Sequence, residues 1–162
     1  MPKLDYTAIL RMLVEHEVDF IVVGGVGAVL QGAPITTFDL DVLHSTEEAN
    51  VERLMAALDS LDACYRIQPE RKLKPQASHL ASPGHQLLIT RHGPLDLLGS
   101  IGTGHNYSDL IPHTEPLQIA SDIRVPVLEL AKLIAVKEET AGEKDRAVLP
   151  ILRRTLQEKD KS

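Results

Sequence analysis

Cysteine and aromatic residues are scarce in this chain, and each shortage excludes a class of structure. Cys64 is the single cysteine among 162 residues, so no internal disulfide can form and the reducing cytosol is the expected compartment. Tryptophan is absent and aromatic residues make up 3% of the chain, which argues against the base-stacking platforms that bind single-stranded nucleic acid. Recognition of a nucleotide is therefore expected to rest mostly on backbone, aliphatic and charged groups.

Positive charge and long apolar runs are also lacking. The formal net charge is −6, whereas proteins that coat nucleic acid cluster lysine and arginine on their surface. No apolar stretch is long enough to cross a bilayer, and the first residues lack the basic and apolar segments of a signal peptide. These absences predict a cytoplasmic protein that does not contact a membrane.

The chain has the composition of an ordinary globular domain. Hydrophobic residues account for 43% and charged residues for 25%, which is typical of a chain that buries a core. No repeat, low-complexity segment or composition break marks a second domain. We therefore predict one domain over residues 1–162, with a frayed tail over 158–162.

Apolar periodicity predicts an α/β (α+β) fold, in which a small, mixed, mostly antiparallel sheet is flanked by helices. Helices are predicted after an Asp5 cap, after a Gly24–Gly25 turn, after a Ser45–Glu48 capping box and from Leu128, and Pro150 is expected to kink the last helix. The predicted strands cover residues 18–23, 38–43, 86–90, 95–98, 117–119 and 123–127.

Asp39 and Asp41 carry the strongest chemical signal. Alternate residues of a strand point to the same side, so these two carboxylates are expected to lie together. Hard oxygen ligands at this spacing suit Mg²⁺ that bridges the phosphates of a nucleoside triphosphate. Asp96 interrupts a later apolar run, where an unpaired charge is costly to bury, and is expected to supply a third carboxylate.

A glycine pair precedes the aspartates. Gly24 and Gly25 lie between a predicted strand and a predicted helix, where backbone N–H groups without side chains can approach an anion closely. A phosphate site at these glycines would adjoin the metal site at the aspartates.

The stretch that contains both motifs resembles the DNA polymerase beta-like nucleotidyltransferases, particularly the small bacterial members of toxin–antitoxin and abortive-infection systems. The resemblance rests on Val22–Ala28 (VVGGVGA), Gln31–Gly32 and Thr37–Asp41 (TFDLD). It implies the nucleotidyltransferase fold, a nucleoside triphosphate such as ATP as substrate, a protein or RNA acceptor, and a cognate toxin or antitoxin as partner.

The resemblance also implies a role for individual positions. Gly24, Gly25 and Thr37 would bind the nucleotide, and Asp39, Asp41 and Asp96 would hold Mg²⁺ and carry catalysis. Ile35 stands where many such proteins carry an arginine.

Three functions remain open on the sequence alone. The first is Mg²⁺-dependent transfer of a nucleoside monophosphate from a triphosphate to a hydroxyl of a protein, RNA or small molecule. The second is a catalytically weak or inactive binding or regulatory protein of the same fold, which the missing positive charge at Ile35 favours. The third, a dinucleotide-binding domain, fits poorly because Leu30 occupies the position of its third glycine.

For the other charged residues, the sequence predicts only where they lie relative to the site. His44 is the one histidine expected near the site, and Lys137 is expected to lie in solvent on its helix. The basic run Arg71–Lys74 is expected in a solvated loop. It lies within residues 66–83, a partly irregular segment that is placed to approach the site.

Overall fold

The computed structural model describes residues 3–161, apart from the side chain of Lys144. Met1, Pro2 and Ser162, which the predicted domain includes, lie outside the described residues. The elements in chain order are α1 (Tyr6–Glu15), β1 (Phe20–Val23), α2 (Gly24–Leu30), β2 (Leu40–His44), α3 (Glu48–Ser60), β3 (Cys64–Tyr65), α4 (Ala77–Leu80), β4 (His85–Thr90), β5 (Gly93–Leu98), α5 (Tyr107–Leu110), β6 (Thr114–Ala120), β7 (Ile123–Leu128), α6 (Leu130–Glu139) and α7 (Glu143–Asp160).

The strands form one seven-stranded sheet in the order β3-β4-β5-β2-β1-β7-β6. The pairs β2–β5 and β1–β7 are parallel, and the four remaining neighbours are antiparallel. The predicted α/β (α+β) class with a mixed, mostly antiparallel sheet is therefore confirmed. Across residues 3–161, no helix is both long and apolar enough to span a bilayer.

Each face of the sheet has its own core. Alternation along the strands sends Val22 and Leu97 to one face, where they pack with buried residues of α1 and α3. Ile21 and Leu43 point to the opposite face, where they pack with buried residues of α6 and α7. Helix α2, which begins with the glycine pair, contributes to both cores, since Val26 packs in the first and Ala28 in the second.

Most predicted elements are present, with shifted ends. Asp5 caps α1 as expected, since its carboxylate accepts a hydrogen bond from the amide of Ala8 at 3.2 Å. Strand β2 begins at Leu40 rather than at Phe38, so Asp39 precedes the strand. Helix α7 passes through Pro150 and continues to Asp160, beyond the start of the expected tail.

The predicted capping box at the start of α3 is wrong. The helix begins at Glu48, and its N-cap residue Glu47 makes no side-chain capping bond. Ser45 is buried, and its hydroxyl accepts a hydrogen bond from the amide of Glu47 at 3.3 Å instead. Buried Asn50 binds the carbonyl of Ser45 at 2.8 Å and thereby ties the residues before the helix to its first turn.

Candidate active site

Three aspartates lie close together on the side of the sheet that packs against α6 and α7. Parallel pairing of β2 with β5 places Asp41 directly beside Asp96, and Asp39 lies two residues before Asp41. Each aspartate offers one carboxylate oxygen that lies within 4.8 Å of the other two. The structure therefore brings together all three carboxylates that the sequence predicted.

The glycine pair packs against this cluster and against Thr37. Gly24 and Gly25 form the first residues of α2 rather than a separate turn. Gly24 has φ +66°, and a Cβ added there would collide with Oδ2 of Asp41 and lie 2.9 Å from its Cγ. A Cβ on Gly25 would lie 2.8 Å from Oγ1 of Thr37. Both positions need glycine because the backbone of α2 lies against side chains of the site.

Thr37 holds the segment that carries Asp39. Its hydroxyl donates a hydrogen bond to the backbone carbonyl of Asp39 at 3.0 Å, and Thr37 also lines the cavity beside the aspartates. This bond fixes the chain just before β2, where the regular ladder has not yet begun.

The cluster is electrostatically strained when no cation is present. Burial raises the pKa of Asp41 to about 8, and the negative charges of Asp39 and Asp96 act in the same direction, while Lys137 opposes them. Oδ1 of Asp41 is buried and has no hydrogen-bond partner within residues 3–161. An unpaired carboxylate oxygen among three acidic groups fits a divalent cation, which prefers hard oxygen ligands.

Asp96 also has a cationic partner, which the sequence did not predict. Nη2 of Arg66 donates to Oδ1 of Asp96 at 2.5 Å and to the carbonyl of Leu88 at 3.0 Å. The irregular segment that follows β3 thus does approach the site, as expected. Arg66 and Asp96 are 30 residues apart in the chain. Their contact could be predicted only from the register of β3, β4 and β5.

We expect that Arg66→Gln lowers the stability of the metal-free protein and increases its stabilisation by Mg²⁺. Asp96 would lose its cation beside two other carboxylates, at a cost of about 2 kcal/mol, less than the ~3–5 kcal/mol of a fully buried pair because Arg66 is partly exposed. Thermal unfolding with a chelator and with Mg²⁺ measures both effects.

Arg11→Gln is the matched control, because it breaks the exposed ion pair between Arg11 and Asp122. It should leave the response to Mg²⁺ unchanged. An equal response to Mg²⁺ in Arg66→Gln and in the unmodified protein would show that Arg66 does not offset the charge of the cluster.

A cavity of about 410 Å³ opens beside the aspartates. Lys137 and Asp145 both line it, and Nζ of Lys137 lies 3.3 Å from Oδ1 of Asp145. The prediction that Lys137 points into solvent is therefore wrong. Its position three and four residues after the buried Ile134 and Leu133 was a signal that it shares their face of α6.

His44 does not lie at the site, contrary to expectation. It pairs with Phe20 at the far end of β2, whereas Asp41 pairs with Val23. Its Nδ1 lies 3.1 Å from the carbonyl of Ser45, and burial lowers its pKa. It points to the sheet face opposite to that of Asp41, because three positions along a strand change the face.

No protein-family profile and no curated protein matches this chain. Solved structures do match it, and the two described next align over nearly its whole length. A candidate nucleotidyltransferase from Thermotoga maritima aligns with a TM-score of 0.56 and 17% identity, over 94% of this chain and 93% of that one. The lincosamide antibiotic adenylyltransferase LnuA, bound to lincomycin, aligns with a TM-score of 0.61 and 12% identity, over 93% of this chain and 98% of that one. This chain therefore has the nucleotidyltransferase fold that its sequence motifs implied.

Proposed function

We propose that this chain is a single-domain, Mg²⁺-dependent nucleotidyltransferase. It would transfer a nucleoside monophosphate from a nucleoside triphosphate to a hydroxyl of a protein, RNA or small molecule. The observation that carries the proposal is the convergence of Asp39, Asp41 and Asp96 beside a cavity of ligand size. The fold shared with an adenylyltransferase supports nucleotidyl transfer as the reaction.

In this proposal the three carboxylates share one task, and Asp96 has a second. Asp39, Asp41 and Asp96 would hold Mg²⁺, which when bound neutralises phosphate charge and stabilises the leaving group. Asp96 would also accept the proton of the acceptor hydroxyl, while Arg66, which donates to its Oδ1, would hold its carboxylate in place. The acceptor oxygen then forms a bond to the α-phosphorus, the bond from that phosphorus to the bridging oxygen breaks, and pyrophosphate leaves.

Other cavity residues would bind the phosphates. Gly24 and Gly25 line the cavity at the first residues of α2, where backbone N–H groups that are not used within the helix would bind a phosphate. Lys137 supplies a positive charge in the same cavity as Ile35, and its ion pair with Asp145 orients it. Lys137 on α6 would thus offset the charge that is missing at Ile35, which lies in the segment between α2 and β2.

A second candidate function is that of a nucleotide-binding regulatory protein, such as the partner of a cognate toxin or antitoxin. Two observations favour it: Ile35 contributes no charge to the cavity, and Asp96 is already paired with Arg66. Such a protein would bind triphosphate without turnover.

Transfer of an α-phosphate label separates these functions. The protein is incubated with each α-³²P-labelled nucleoside triphosphate, Mg²⁺ and a cell extract, and label is followed in protein, RNA and small molecules. We expect transfer of label from an α-labelled but not from a γ-labelled triphosphate, since the monophosphate is the group that moves. The double variant Asp39→Asn, Asp41→Asn should transfer none.

Asp59→Asn serves as the control, because its carboxylate is exposed and pairs only loosely with Lys74, at 3.7 Å. Mg²⁺-dependent binding of triphosphate without label transfer would favour the regulatory function. The absence of both binding and transfer in the unmodified protein would reject the two functions together.

A further inference from the structure

Phe38 is the most exposed large apolar side chain among the described residues. It exposes 78% of its surface, whereas Phe20, the other phenylalanine, exposes 3% and lies in the core. A lone exposed ring is not unusual in itself, so its location decides what it means. Phe38 lines the 410 Å³ cavity together with Asp39 and Asp41, and it is the only aromatic residue in the described lining.

The backbone on both sides of Phe38 is fixed. On one side, the hydroxyl of Thr37 donates to the carbonyl of Asp39 at 3.0 Å. On the other, Leu40 is fully buried and begins β2, where it pairs with Leu95 of β5. The ring is therefore held one residue away from a carboxylate of the site and does not belong to the sheet core.

The lining of the cavity combines two chemistries. Asp39, Asp41, Lys137 and Asp145 make one part charged. The other part is apolar and consists of Ala28, Ile35, Phe38, Val148 and Leu152. A nucleotide has the same two parts, because its phosphates bind charges and metal while its base is a flat ring that stacks on aromatic side chains.

We propose that Phe38 stacks on the base of the nucleoside triphosphate while the phosphates lie at the aspartates and Lys137. This inference rests on the proposed binding of a triphosphate and adds a subsite for the base. It also explains why a large apolar ring is kept in solvent next to the carboxylates: in the complex, the base covers it.

Stacking on Phe38 predicts weak discrimination between bases. Every base has a π-face, whereas selection of one base needs hydrogen bonds to its edge. In the described lining of the cavity, Thr36 and Thr37 offer hydroxyls, and there is no asparagine, glutamine or arginine. We expect ATP, GTP, CTP and UTP to bind within about tenfold of one another.

The experiment compares ATP with inorganic tripolyphosphate, which has the phosphates but no base. Binding of both is measured by calorimetry with Mg²⁺ for the unmodified protein and for Phe38→Ala, Phe38→Leu and Phe38→Trp. We expect Phe38→Ala and Phe38→Leu to bind ATP about tenfold or more weakly, the scale of one base–aromatic stack, while tripolyphosphate binding is unchanged. Phe38→Trp should retain ATP binding, because it keeps an aromatic face.

Val14→Ala is the control, since Val14 is an exposed apolar residue on α1 at the opposite face of the sheet. It should leave both affinities unchanged. Unchanged ATP binding in Phe38→Ala, or an equal loss for ATP and tripolyphosphate, would overturn the stacking role and leave the proposed function standing. Failure of the unmodified protein to bind either ligand would overturn both.

Discussion

Asparagine in place of Asp41 is expected to abolish nucleotidyl transfer while making the metal-free protein more stable at alkaline pH. Asparagine keeps the shape of the side chain but removes a negative charge from the proposed Mg²⁺ site. Loss of a group that stabilises charge in the transition state costs about a thousandfold in rate or more. The label-transfer assay measures this loss.

The gain in stability follows from the pKa of Asp41. Burial and the charges of Asp39 and Asp96 raise it from the ordinary value of 3.8 to about 8, against the opposing charge of Lys137. Between these values the folded state binds more protons than the unfolded state, so the free energy of unfolding decreases as pH rises from about 4 to about 8. Asparagine carries no ionisable proton and does not contribute to this decrease.

The two proteins should therefore diverge with pH. With a chelator present, Asp41→Asn and the unmodified protein are expected to differ little at pH 4, where Asp41 has not yet begun to destabilise the folded state. At pH 9 the variant is expected to be more stable by on the order of 2 kcal/mol, or about 4–8 °C in Tm. Added Mg²⁺ should raise the Tm of the unmodified protein much more than that of Asp41→Asn.

Asp59→Asn, on the exposed surface of α3, should alter neither activity nor the pH dependence of stability. The metal-site assignment would be contradicted if Asp41→Asn retained transfer activity. The claim that ionised Asp41 destabilises the metal-free protein would be contradicted if the variant and the unmodified protein lost stability in parallel between pH 5 and pH 9.

Local patterns in the sequence predicted which three carboxylates come together, and for Asp96 the reason was that an unpaired charge in an apolar run is costly to bury. Asp41 and Asp96 interrupt apolar runs, and the two strands that carry them are neighbours in the sheet. Asp39 was predicted for the wrong reason, since it lies before the strand and is held by Thr37. Its placement beside Asp41 depends on that hydrogen bond rather than on pleating.

The residues that sequence patterns missed act over long separations in the chain. Arg66 reaches Asp96 only because β3, β4 and β5 are adjacent, and Lys137 reaches the cavity only because α6 packs on the same face. The start of α3 was misplaced for the same reason. Asn50 binds the amide of Asp19 at 2.7 Å, so a contact with a distant loop overrides the local capping signal of Ser45.

Alanine in place of Gly24 is expected to damage both stability and activity. The residue has φ +66°, a conformation that costs a non-glycine residue about 1–2 kcal/mol. The new Cβ would also collide with Oδ2 of Asp41, and relief of such a clash in a packed site costs about 1–3 kcal/mol more. Because the atom that must move belongs to the proposed catalytic cluster, we also expect a loss of about a hundredfold in transfer rate.

Alanine substitutions at Gly32 and Gly142 separate the cost of the strained backbone from the cost of the clash with Asp41. Gly32 has φ +100°, and no atom lies within 4 Å of the point that a Cβ would occupy, so Gly32→Ala should show the backbone cost without a loss of activity. Gly142 has open space and an extended backbone, so Gly142→Ala should be close to neutral. If Gly24→Ala were no more harmful than Gly32→Ala in chemical denaturation and in label transfer, the close packing of Gly24 on Asp41 would not matter to the site. A larger effect at Gly24 in both measurements would show that the first turn of α2 sets the position of Asp41.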